Sequence, residues 1–423
     1  MIRARSLGTA KTKEPALPLP AKQGEREKKG SGEGARNPQG LCDSSPASYG
    51  GGMKVDGKPW RTIWLEPDGW SVGVIDQTRL PHRFETKRLV TLADAADAIS
   101  TMVIRGAPLI GATAAYGLCL ALRADASDEG IERAYATLLA TRPTAINLRW
   151  ALDEMVAAVR NRPRHERVAA AYARAAAIAE EDIAINRALG RHGAKLIEDI
   201  AERKKGEPVN ILTHCNAGWL AAVDIGTALA PIYTAHDAGV PVHVWVDETR
   251  PRNQGASLTA WELNHHGVPH HVIADNTGGH LMQRGLVDMV IVGADRVTAN
   301  GDVCNKIGTY LKALAAYDNG VPFFIGLPSP TIDFSVADGR DIPIEQRSPE
   351  EVATMTGETA DGRIETVRVV PKGSAVANYA FDVTPARLVT GLITERGVLA
   401  ATRQALAQAF PESAAPPPRR AAE

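Results

Sequence analysis

From Pro208 onward the chain alternates five short apolar runs with four stretches of helical periodicity. The runs are Asn210–Thr213, Val242–Val246, His271–Ile273, Met289–Val292 and Val321–Ile325. Between them Leu220–Ala238, Ser257–His265, Leu281–Gly285 and Cys304–Ala316 read as helices. The runs do not alternate polar with apolar residues, so both faces of each strand are buried. That is the mark of parallel strands covered by helices on either side. The expected fold class is α/β: a mainly helical N-terminal domain with a small β element, then a Rossmann-like doubly wound parallel sheet.

Upstream, Thr62–Glu66 and Ser71–Ile75 read as short strands around the turn Pro67-Asp68-Gly69. Thr91 is placed to cap a helix. Pro108–Leu122, Ala145–Val159 and Val168–Ile200 read as further helices, and the alanine run 169–179, broken by arginine, as exposed helix. Residues 1–52 are rich in Gly, Pro, Ser, Lys and Glu and poor in aromatics, which predicts disorder. Met53 is a candidate native start; the alternative is a genuine flexible tail. The expected organisation is an extension over 1–52, a helical domain over 53–205, an α/β domain over 206–408 and a disordered tail over 409–423.

Composition closes off several functions. The 423 residues carry a formal net charge of -1, which argues against a bulk nucleic-acid binder or a membrane-surface protein. No run of 18 apolar residues occurs, so no spanning helix is expected. Four cysteines without a CxxC pair argue against a disulfide framework or zinc ribbon and fit a reducing cytoplasm. Neither GxGxxG after the first strand nor GxxxxGK[ST] is present, which disfavours nicotinamide and nucleoside triphosphate chemistry. The series His265, His266, His270, His271 lacks an accompanying Cys or carboxylate at ligand spacing, so no metal is expected there.

In open α/β sheets ligands bind beyond the carboxyl ends of the strands. Here those ends carry Thr213-His214-Cys215-Asn216, Asp247-Glu248-Thr249-Arg250, Asp275-Asn276-Thr277 and Gly293-Ala294-Asp295-Arg296. Cys215, between a strand and an expected helix, is placed for its thiol to be acidified by helix amides. Its bland reading is a small buried hydrophobe. Asp295 follows an apolar run, which favours a raised pKa and an acid's role; alternatively it caps a helix or is pinned by Arg296. Asn305 and Lys306 are expected near a helix start, a natural phosphate site. Arg105-Gly106-Ala107-Pro108 forms a similar junction, with Gly106 permitting close backbone approach. Arg142 and Gln254 lie at polar loop–helix junctions. Each has a plain structural reading when taken alone.

Together these segments resemble the 5-methylthioribose-1-phosphate isomerase family. That family belongs to a wider group that includes alpha-, beta- and delta-type subunits of translation initiation factor 2B. The resemblance rests on Arg105–Pro108, Arg142–Leu148, Thr213–Gly218, Val246–Pro251 with Gln254-Gly255-Ala256, and Gly293–Arg296 through Asn305–Tyr310. Thr331–Phe334, Ile342–Glu345 and Phe381–Pro385 extend it, so it covers about Val55 to Thr402. Asn378-Tyr379-Ala380 and Gly326-Leu327-Pro328 depart from the family pattern away from the pair Cys215 and Asp295. The resemblance implies conversion of 5-methylthio-α-D-ribose 1-phosphate to 5-methylthio-D-ribulose 1-phosphate in methionine salvage. It implies Asp295 as proton donor and Cys215 as proton shuttle or transition-state stabiliser. It implies substrate binding by Arg105, Gly106, Ala107, Arg142, Gln254, Asn305 and Lys306, with no metal or organic cofactor and a cytoplasmic homodimer. 5-Deoxyribose 1-phosphate is a second substrate it allows. The alternatives are a ribose 1,5-bisphosphate isomerase and a non-enzymatic, initiation-factor-like regulatory subunit.

Overall fold

The computed structural model describes residues 53–142 and 144–414. The expected extension over 1–52 and the last part of the expected tail lie outside the described residues. The chain begins with a hairpin of β1 (Met53–Val55) and β2 (Lys58–Trp60), followed by an antiparallel meander of β3 (Ile63–Leu65), β4 (Val72–Ile75) and β5 (Thr86–Leu89). The expected turn before β4 is held by Asp68, whose Oδ1 accepts from Trp70 N and Ser71 N, both at 2.9 Å. The strand β5 was not anticipated, because its sequence Thr-Lys-Arg-Leu is mostly polar and buries only Leu89.

Five helices follow: α1 (Leu92–Ser100), α2 (Ala107–Ala124), α3 (Asp128–Thr141), α4 (Ile146–Val159) and α5 (Arg167–Lys204). Thr91 caps α1 as expected, in a reciprocal box with Asp94. Among the described residues α2 alone is long and apolar enough to cross a bilayer, yet it is a core helix, buried from Leu109 to Leu120. The alanine run on α5 is not simply exposed. Ala171, Ala175 and Ala179, spaced four apart, are buried against the helical core, since small side chains let neighbouring helices approach. The 38 residues of α5 serve two cores: Ile178 and Ile183 pack with the helices, Leu189 and Ile197 with the sheet.

Beyond α5 come β6 (Val209–Thr213), α6 (Ala230–Asp237), β7 (Val242–Asp247), α7 (Ala260–His266), β8 (His270–Ile273), α8 (Thr277–Gln283) and β9 (Met289–Val292). Next are β10 (Arg296–Thr298), β11 (Val303–Lys306), α9 (Thr309–Asp318), β12 (Phe323–Gly326), β13 (Ile332–Asp333) and α10 (Glu350–Ala353). The chain closes with β14 (Thr354–Glu358), β15 (Ile364–Arg368), β16 (Phe381–Thr384), β17 (Gly391–Thr394), β18 (Gly397–Leu399), α11 (Arg403–Ala409) and α12 (Pro411–Ala414). The central sheet runs β18-β17-β12-β9-β6-β7-β8. All its pairings are parallel except β17 with β18. Strand order therefore reverses between β6 and β9, which is where a doubly wound sheet opens its ligand crevice.

Three expectations change. Leu220–Ala238 is not one helix: a short turn at Trp219–Ala221 is followed by irregular chain until α6 starts at Ala230. Cys304–Ala316 is not wholly helical either. Val303–Lys306 forms β11 in a second sheet of order β13-β10-β11-β16, and the helix starts at Thr309. Pairing with β10 and β16 overrides the local helical pattern. At the end of the chain, Phe410 is fully buried against the sheet and α12 follows it, so order continues past 408 to Ala414.

Candidate active site

The crevice between β6 and β9 contains every residue proposed from the sequence. Arg105, Gly106, Ala107, Arg142, Cys215, Gln254, Asp295, Asn305 and Lys306 all line one cavity. They arrive from six segments. Cys215 lies two residues past β6 and Asp295 three past β9, on either side of the strand-order reversal.

Cys215 has φ of 66°, a left-handed conformation that turns the chain sharply off the strand. Its amide donates to Thr249 Oγ1 at 2.8 Å, and Thr259 Oγ1 donates to its carbonyl at 2.8 Å. Its Sγ faces Gln254 Oε1 at 3.5 Å. The expected acidification by helix amides does not occur, because no α-helix starts after β6 until Ala230. Burial instead pushes the thiol up, with Arg105 and Lys306 opposing the shift. His214 turns away from this group. Its Nδ1 meets Asp247 Oδ2 at 2.9 Å and its Nε2 meets Ile307 O at 2.8 Å. His214, Asp247 and Asp275 cluster tightly enough to suggest a cation, but the Lys312 ammonium stands there, 3.1 Å from Asp247 Oδ2.

Asp295 is pushed up by burial, as its apolar approach led us to expect; Lys306, Arg142 and Arg105 pull it back and Glu345 adds to the rise. Arg296 does not pin it. That guanidinium pairs with Asp333 Oδ2 at 3.3 Å and donates to Thr144 O. The Asp295 amide donates to Cys304 O at 2.9 Å, tying the end of β9 to β11.

Asn305 and Lys306 enter from β11 rather than from a helix start. Lys306 is 9% exposed, and its ammonium lies 4.6 Å from the centre of the Phe381 ring, its cross-strand partner. Burial pushes this lysine down, and Cys215 and Asp295 oppose that shift only in their ionised forms. Arg105 donates from Nη2 to Asn216 O at 2.6 Å and from Nη1 to Asn216 Oδ1. Arg142 caps the end of α3, and among the described residues its buried Nε has no hydrogen-bond partner. A desolvated guanidinium with a spare donor is well suited to an incoming oxyanion.

Gly106 stands ahead of α2 with φ of 94°, and a Cβ there would lie 2.3 Å from Ala221 O. Gly106→Ala is therefore expected to cost at least about 2 kcal/mol of stability and to raise KM, since the backbone that must yield also forms the cavity wall. Thermal unfolding and steady-state kinetics on one preparation check both.

Sequence reasoning missed Glu262. It lies on α7, fully buried, and gathers the loop after Cys215. Asn216 Nδ2 and Tyr233 Oη each donate to it at 2.8 Å, and the Trp219 and Leu220 amides at 3.0 Å. Burial pushes its carboxyl up. A lone Glu within an apolar helix pattern is the signal it left in the sequence. The histidine series does not converge: His266 meets Asp237, His270 meets Val268 O and His271 meets His243.

A parallel sheet with a buried acid, a thiol and three cations at its switch point defines a small-molecule site for an anionic ligand. Residues 103–401 match the Initiation factor 2 subunit family, and the chain belongs to that family. Within it, the chain is 66% identical over 363 residues to the methylthioribose-1-phosphate isomerase of Rhodospirillum centenum, covering 86% of this chain and 97% of that one. It is 70% identical over 361 residues to the enzyme of the same name from Methylorubrum populi, covering 85% and 99%. Among solved structures, 5-methylthioribose 1-phosphate isomerase from Pyrococcus horikoshii OT3 matches with a TM-score of 0.71 at 41% identity, over 83% of this chain and 96% of that one. The delta subunit of translation initiation factor eIF-2B from A. fulgidus matches with a TM-score of 0.69 at 36% identity, over 83% and 99%.

Proposed function

We propose that this chain is an aldose–ketose isomerase converting 5-methylthio-α-D-ribose 1-phosphate to 5-methylthio-D-ribulose 1-phosphate, a step of methionine salvage. One observation carries the reading. An acid, a thiol and the cations Arg105, Arg142 and Lys306 share a cavity in a chain about two-thirds identical to isomerases of that name. The likeness to an initiation-factor subunit is weaker, at 36% identity.

Phosphate on the anomeric carbon prevents the ring from opening as a free sugar's does. Asp295, whose carboxyl burial pushes up, gives its proton to the ring oxygen as the bond to carbon 1 breaks. Hydrogen then passes from carbon 2 to carbon 1, and the carbon 2 hydroxyl loses its proton as the ketone forms. One proton enters at the ring oxygen and one leaves at that hydroxyl, so the reaction balances without redox input. Because the thiol is held protonated, we read Cys215 as a stabiliser of the opened intermediate, beside a direct hydride shift, rather than a thiolate base. Arg105, Arg142 and Lys306 offset the phosphate charge, each charge-assisted bond contributing about 1.5–3 kcal/mol. Gln254 and Asn305 supply amides for the sugar hydroxyls.

The test is turnover of 5-methylthioribose 1-phosphate, 5-deoxyribose 1-phosphate and ribose 1,5-bisphosphate side by side. We expect the methylthio substrate to have the highest kcat/KM; preference for the bisphosphate, or no turnover, would sink the reading. We further propose a cytoplasmic homodimer. Buried free thiols at Cys119, Cys215 and Cys304 support a reducing setting, and exposed Leu311 and Tyr317 on α9 support a partner surface. Fractionation of cells and the mass in solution decide these two points.

A further inference from the structure

A chain of alternating charges runs beside the cavity: Arg142, Glu345, Arg347, Glu351 and Arg252. Arg142 Nη2 lies 3.7 Å from Glu345 Oε2, and Arg347 Nη1 lies 3.1 Å from Glu345 Oε1. Arg347 Nη2 and Arg252 Nη1 each lie 3.0 Å from Glu351 Oε1. The middle three residues sit on a segment that is tied down. Ala380 N donates to Glu345 O at 3.0 Å, Arg347 N to Asn378 O at 2.9 Å, and Asn378 Nδ2 to Glu351 Oε2 at 2.9 Å. Arg347 Nη2 also reaches Met102 Sδ at 3.1 Å, and Met102 lines the cavity. Glu345 is thus a fixed anion whose second oxygen is aimed at Arg142.

Exposed ion pairs contribute little. This one is not exposed: the Arg142 and Glu345 side chains are 12% and 26% accessible. Arg142 carries a guanidinium largely stripped of water, and burial pushes it down while Glu345 holds its charge. Arg105, Arg142 and Lys306 converge on one small cavity, and Glu345 is the carboxylate that steadies Arg142.

We propose that Glu345 is a positioning residue for the isomerisation, holding the Arg142 guanidinium ready for the phosphate and setting the charge balance around Asp295. The inference rests on the roles given above to Arg142 and Asp295 and names a group that acts through them. The charged and titratable groups facing Asp295 are Lys306 and Cys304 from β11, Arg142 from the end of α3, Arg105 ahead of α2, Cys215 after β6, and Glu345. The three cations favour its ionised form and Glu345 opposes it. Removing the Glu345 charge therefore makes Asp295 ionise at lower pH, and its acid form disappears sooner as pH rises.

The experiment is the full chain carrying Glu345→Gln, assayed with 5-methylthioribose 1-phosphate across pH alongside thermal unfolding. The expected result is a KM raised about tenfold and an alkaline limb of kcat shifted about half a unit or more toward lower pH, with Tm little changed. Glu345→Asp restores the charge at shorter reach, so its alkaline limb should lie near that of the unmodified chain. Glu345→Gln with unaltered KM and an unmoved limb would overturn the inference, as would a limb in Glu345→Asp displaced as far as in Glu345→Gln. A lowered Tm with normal kinetics would reduce Glu345 to a structural role and overturn it too. If Arg142→Lys and Asp295→Asn are crippled while Glu345→Gln is normal, this inference alone fails. If those two retain full activity, the functional reading beneath it fails.

Discussion

Asp295→Asn is expected to lower kcat by about 10³-fold or more while leaving Tm within a few degrees of the unmodified chain. An amide of the same shape cannot supply the proton that ring opening requires, and general acids contribute about 10²–10⁴-fold. Stability should not suffer. Burial raises the Asp295 pKa, so its ionised form is less favourable in the folded state than in the unfolded chain. Its effect on stability is nil below the unfolded carboxylate pKa and increasingly unfavourable as pH rises toward the folded value; a neutral amide escapes it. The same sign governs the rate: the required acid is present at low pH and lost as pH rises through its raised pKa, which gives kcat a descending alkaline limb. Retention of kcat by this variant would remove Asp295 from the proposed role.

The second large effect is expected at Cys215. Cys215→Ala should reduce kcat by about 10²-fold or more, and Cys215→Ser should recover part of that loss, since a hydroxyl can still donate a hydrogen bond. Partial recovery follows from reading the residue as a protonated thiol, which its burial supports. A thiolate base would not be replaced by serine, whose hydroxyl stays protonated at neutral pH. Turnover in heavy water adds a second readout. A direct shift leaves carbon 1 of the product free of solvent deuterium, whereas exchange through a thiolate would place deuterium there. Equal, complete inactivity of both variants with deuterium at carbon 1 would restore the proton-shuttle role.

The relative placement of Cys215 and Asp295 also shows where sequence reading reached its limit. That each stood beyond the end of a buried strand followed from apolar runs and the polar residues after them. That the two strands adjoin at the reversal of order did not follow, because neighbours in a sheet are chosen by crossover connections that leave no mark on either strand. Lys306 makes the same point differently. Its local pattern reads as helical, and only the partners β10 and β16, the latter some 75 residues further on, make it a strand that carries the ammonium into the cavity. Glu262 was passed over for a related reason: its four donors come from the loop after Cys215 and from α6, which only folding brings to α7.

The sequence by itself determined the α/β class, the capping of α1 and the close backbone approach at Gly106, and its resemblance to a known family named nine residues that line the cavity. These rest on periodicity, on local turn chemistry and on motifs contiguous in the chain. Tertiary structure alone decided that the thiol is raised rather than acidified, that Arg296 serves Asp333 instead of Asp295, and that Glu345 faces Arg142. Each of these depends on desolvation and on distances across a folded cavity, quantities set by which distant segments meet and not by the order of residues in any one of them.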